Sequence, residues 1–123
     1  MTGIFDIKEL NIRGQFCLLS FKYYSEKHNE LNIDEILQHV LPNGKVHFFR
    51  FYDLLYYSCL AHSELENVPF TFTYSRFIQA CSEIGAGENS ELLSKLFEAR
   101  LLAQSLTDFF AKGAIKQPAT KKK

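Results

Sequence analysis

The sequence predicts a mainly α, single compact domain of about five helices, opened by a short N-terminal strand or extended arm and closed by a disordered basic tail. Apolar residues recur at helical spacing in several long stretches. Clusters of Pro, Asn and Gly separate those stretches, at Pro42-Asn43-Gly44, Asn67-Val68-Pro69 and Gly85-Ala86-Gly87. The 123 residues are 46% hydrophobic, enough for one core without disulfide or metal staples. The domain is expected over residues 1–111, with 112–123 as the flexible basic tail.

Ile4, Phe5, Ile7, Leu10 and Ile12 alternate imperfectly, which suits either a short strand or an extended arm. From Gly14 the spacing of Phe16, Leu19 and Tyr23, and of Cys17, Phe21 and Tyr24, predicts a helix over about Gln15–His28. Asn32 with Glu35 three residues later has the form of a capping box, and Leu31 with Ile36 supplies a hydrophobic staple for a short second helix that must stop at Pro42. Lys45–Ser63 is apolar on most of its circumference, so this helix is either central in the domain or shared with another chain. Phe70-Thr71-Phe72-Thr73 is extended and leads to Thr73 as N-cap of a helix that carries Phe77, Ile78, Cys81 and Ile84 and stops at Gly85. The last helix starts near Asn89 or Ser90. Its steps of four and three, through Leu92, Leu96, Ala99, Ala103, Leu106 and Phe110, suit either packing on the domain core or a helix-on-helix contact with a partner or a second copy.

Charge and chemistry narrow the function. The 14 basic and 14 acidic residues cancel overall, but residues 1–111 are net −5 and residues 112–123 net +5. Basic residues are not interleaved with aromatics on one face, so no specific nucleic-acid partner is expected. Cys17, Cys59 and Cys81 form an odd set without disulfide-scaffold spacing, which suits a reducing, intracellular setting. Leu54–Ser63 is half the length needed to cross a bilayer, so no membrane partner is expected and the localisation read from the sequence is cytoplasmic. Cys59 and His62 place a thiolate and an imidazole one helix turn apart, yet a second ligand pair is missing, so no metal and no other cofactor is expected. His28, His39 and His47 lie singly. Ser58, Ser82 and Ser94 fall within predicted helices and none has the setting of a nucleophile. No catalytic residues are assigned.

The order of segments Phe16–Tyr24, Phe48–Leu60, Pro69-Phe70-Thr71-Phe72-Thr73 and Leu92–Leu106 resembles that of the small tail assembly chaperones of tailed bacteriophages. The resemblance covers about Phe16 to Leu106 and lies in pattern. The closing Lys121-Lys122-Lys123 fits it further, because Lys codons can supply the slippery run at which such chaperones are extended by a ribosomal frameshift. It implies a non-catalytic protein that coats the long, apolar helical tape measure protein before tail tube subunits reach it. The implied partners are that protein, a frameshifted longer form of this chain and further copies in a homo-oligomer. Phe48, Phe51, Tyr52, Leu55 and Tyr56, with Leu92, Leu96 and Phe97, would be the contact or self-association surface, as they exceed what one face of each helix must bury. The alternative is an all-α adaptor or regulator, dimeric through its last helix.

Overall fold

A computed structural model describes residues 3–101 together with 104 and 105. The chain opens with an antiparallel hairpin, β1 (Ile4–Ile7) and β2 (Ile12–Gln15), in which Ile4 faces Gln15 and Ile7 faces Ile12. Of the two forms considered for the first residues, the strand is the one adopted. Phe5 and Ile7 point inward while Asp6 faces water and pairs with Arg13 across the ladder, Arg13 Nε donating to Asp6 Oδ1 at 2.7 Å. That guanidinium holds the Asp6 carboxyl below its ordinary value.

Five α-helices follow among the described residues: α1 (Leu18–Lys27), α2 (Ile33–Val40), α3 (Phe48–Glu66), α4 (Tyr74–Ile84) and α5 (Ser90–Glu98). Their starts obey local chemistry. The Ser20 hydroxyl accepts from the Cys17 amide at 2.9 Å, Glu35 Oε1 accepts from the Asn32 amide at 2.8 Å, and Asn89 Oδ1 accepts from the amides of Glu91 and Leu92. Thr73 caps α4 by accepting from the Arg76 amide. Helix α4 ends at Gly85, whose φ of 69° is the left-handed conformation that a side chain disfavours.

Helix α3 is central. It packs against α1, α2, α4 and the hairpin strand β2, which explains an apolar circumference without a second chain. Phe51, Leu54 and Leu55 are fully buried on it. Phe51 lies 6.5 Å, centroid to centroid, from Phe16, which in turn lies 4.7 Å from Phe5. The hairpin therefore roofs one side of α3 with aromatic rings.

One sequence expectation is corrected. The last helix does not continue to Phe110: α5 ends at Glu98, Ala99 is extended with ψ 140°, and Arg100–Leu101 (β3) pairs antiparallel with Gln104–Ser105 (β4). The reason is tertiary. Ala99 is fully buried at the start of the N-terminal hairpin, where a Cβ on Gly3 would come within 3.2 Å of the Ala99 methyl. Only a small residue leaving the helical path fits there. Ala103, Leu106 and Phe110 lie outside the described residues, as does the tail 112–123. Among the described residues, no helix is long and apolar enough to cross a membrane.

Candidate functional site

Burial divides the eight residues that the sequence nominated for partner contact. Phe51, Tyr52, Leu55, Leu92 and Leu96 lie in the core, so their rings and branches are already used by this domain. Tyr56 and Phe97 are half-buried. Phe48 is 45% exposed and lies across Gly87, stacked on Tyr52 with centroids 6.2 Å apart. Its neighbour Phe49, which helical spacing puts on a broad apolar face with Tyr52 and Tyr56, is 73% exposed. Phe48 and Phe49 thus open the central helix with two large rings in contact with water. Fully burying the Phe49 ring would gain roughly 1.5–3 kcal/mol, and the half-covered Phe48 less.

Tyr56 belongs to a second aromatic group. Its ring centroid lies 5.3 Å from Tyr74, 5.7 Å from Phe70 and 5.7 Å from Phe77, the arrangement that edge-to-face packing prefers. The segment between α3 and α4 is held by these rings. The Ser63 hydroxyl also donates to the Val68 carbonyl at the helix end.

A polar cluster that no local motif announced sits beneath this group. Asp53 on α3 is buried, and both of its oxygens are used: His28 Nε2, at the end of α1, lies 3.0 Å from Oδ2, and the Tyr74 hydroxyl of α4 donates to Oδ1. The Tyr24 ring stacks on His28 at 4.1 Å, and the Tyr24 hydroxyl meets His39 Nδ1 of α2 at 2.6 Å. Arg50 donates to the His39 carbonyl at 3.1 Å. Burial pushes the Tyr24 and Tyr74 hydroxyls well above their ordinary range, with the nearby Asp53 carboxylate adding to both. These phenols are therefore donors at neutral pH. The Asp53 carboxylate ties α3 to α4 and to the end of α1, and the Tyr24–His39 contact adds α2. The signal for it in the sequence is only the Tyr24–His28 spacing of one helix turn; Asp53 and Tyr74 are distant in the chain.

His39 gives this cluster a pH dependence. Burial first, then the Arg50 and His28 charges, lowers its pKa from the ordinary 6.5, against an opposing pull from Asp53. A base whose folded pKa is depressed binds fewer protons when folded than when unfolded. Its contribution to stability is present above pH about 6.5 and is lost as the pH falls toward the folded value. We expect stability measured by urea unfolding to fall between pH 7 and pH 5, more steeply for the native protein than for His39→Gln, whose amide still accepts from Tyr24. Parallel curves for the two would show that His39 does not titrate differently on folding.

The spacing of Cys59 and His62 does not assemble a ligand set. Cys59 is buried beside Cys81, and burial pushes both thiols up, that of Cys81 to about 12, so neither is a thiolate at neutral pH. His62 is buried with Nδ1 unpaired. Among the described residues, no group of three or more His, Cys, Asp or Glu is placed to hold a metal ion.

Comparison with known protein families, with characterised proteins and with solved structures finds no match to this chain. The functional reading therefore rests on the residues themselves.

Proposed function

We propose that this protein is a non-catalytic tail assembly chaperone that binds the apolar helical tape measure protein of a tailed bacteriophage in the host cytoplasm and keeps it soluble until tube subunits arrive. The observation that carries the reading is the open Phe49 ring, with the half-covered Phe48 beside it, at the start of the helix that organises the whole core. On the helix that buries Phe51, Leu54 and Leu55, these two adjacent rings are apolar surface available to a partner. The order of α1, the aromatic α3, the Thr-capped entry to α4 and α5 supports the family pattern, while α5 ends short of the Leu106 limit that the pattern suggests. The net −5 of residues 1–111 suits a protein whose task is to keep an apolar partner in solution.

The test is co-expression with the long helical protein encoded beside this gene. The expected result is a soluble complex that co-purifies, and an affinity reduced about ten-fold or more by Phe49→Asp, as for a residue at the centre of an interface. Because Phe49 is exposed, that variant should fold normally. A long protein that is equally insoluble with and without this chain would overturn the reading.

A further inference from the structure

We infer that the groove between α1 and α2 seats an amphipathic helix whose apolar stripe is flanked by basic side chains. The inference rests on the chaperone reading for its biological partner and adds the surface and the charge of the segment bound. The groove measures about 510 Å³. Its floor is closed by the buried Phe21 and Ile36, and its walls by the partly open Leu18, Leu31 and Ile33. Leu18 is 47% exposed although it begins a helix whose Phe21 and Tyr24 are fully buried. An apolar trough with an open mouth is what the stripe of a helix fills.

The lips give the partner its charge. Among the described residues that line the groove Lys22 is the one basic side chain, and it is already engaged, its Nζ lying 2.8 Å from Glu26 Oε2. Glu30 also lines the groove and contributes a second negative charge near Lys22. Leu31 is shared with an adjoining depression of about 390 Å³ whose lining includes Asp34, Glu35, His39 and Arg50. Along the groove and this depression the carboxylates Glu26, Glu30, Asp34 and Glu35 outnumber the cations Lys22 and Arg50, so the net acidic lips complement Lys or Arg on either side of an apolar stripe.

The backbone fixes the position of Glu30 at the same lip. Asn29 and Glu30 are consecutive residues at positive φ, 69° and 61°. Asn tolerates that region, but Glu does so at a cost that Gly would avoid. The turn is fixed by the Glu30 amide on the Ser25 carbonyl at 2.6 Å and by the Ser25 hydroxyl on the Leu31 carbonyl at 2.6 Å. These bonds hold the Glu30 carboxylate in place at the groove mouth.

The test uses the full chain and two designed 18-residue helices with the same leucine stripe, one flanked by Lys and one by Glu. Binding is followed by calorimetry in low and high salt. The Lys-flanked helix is expected to bind at least ten-fold tighter, with the preference shrinking in high salt and in the variant carrying Glu26→Gln and Glu30→Gln. Leu18→Asp, at an exposed position, should abolish binding without unfolding the protein. Glu30→Gly should raise the melting temperature while weakening binding. Equal affinity for the two helices, or binding indifferent to Leu18→Asp, would overturn the inference. So would tighter binding of a peptide of residues 106–123, since the groove would then serve this chain's own Lys-rich end. The co-expression assay separates the two proposals: a Leu18→Asp protein that still solubilises the tape measure protein removes the groove and leaves the chaperone reading, whereas Lys-selective helix binding with no effect on any tape measure protein does the reverse.

Discussion

Phe51→Ala should cost about 3–5 kcal/mol of folding stability, while Phe49→Ala, two residues away on the same helix, should stay within about 0.5 kcal/mol of the native protein. Phe51 is fully buried between the hairpin ring Phe16 and the rest of the core, and its removal leaves a void that rigid neighbours on α3 and β2 cannot close. Phe49 is 73% exposed, so truncating it removes little that folding had buried. Against a typical domain stability of about 5–15 kcal/mol, the first change is a large fraction of the whole. Urea unfolding of both variants at one pH decides the matter through the midpoint, with the slope expected to stay unchanged. Comparable losses at the two positions would mean that Phe49 is also packed in solution, for example against a second copy.

The same pair shows how far the sequence could be read. Helical spacing located α3 and its aromatic richness, and the stops at Pro42 and Gly85 and the caps at Asn32, Thr73 and Asn89 were legible because each depends on a few adjacent residues. Periodicity cannot say which faces find neighbours. Phe51, Tyr52 and Leu55 looked like surplus apolar surface because the hairpin that covers α3 had only a weak alternating signal, Ile4 to Ile12, and was equally an extended arm. Leu92 and Leu96 looked like a seam for another helix for the same reason. The end of α5 carries no Gly or Pro; it is imposed by the packing of Ala99 beside Gly3, which is remote in sequence. The Asp53 cluster was invisible on similar grounds, since His28, His39, Asp53 and Tyr74 are far apart in the chain and His28 and His39, taken singly, read as capping or solvent-facing side chains.

Removing the carboxylate at the centre of that cluster should produce the second large effect. Asp53→Ala is expected to cost about 3 kcal/mol or more, because it leaves the half-buried His28 imidazole without its partner and frees the Tyr74 hydroxyl. Tyr74→Phe should cost only about 1 kcal/mol, since that ring is 42% exposed and Asp53 keeps its bond to His28. The informative variant is the double replacement His28→Leu with Asp53→Leu. A paired polar contact taken out of water repays little of its own desolvation, so exchanging both members for apolar side chains of similar size should restore much of what Asp53→Ala loses. The double variant is therefore expected to be more stable than Asp53→Ala, and the two single changes to be non-additive by about 1–3 kcal/mol. A double variant as unstable as the sum of its singles would show instead that His28 and Asp53 act separately, each through the helices it touches, with the contact between them contributing nothing.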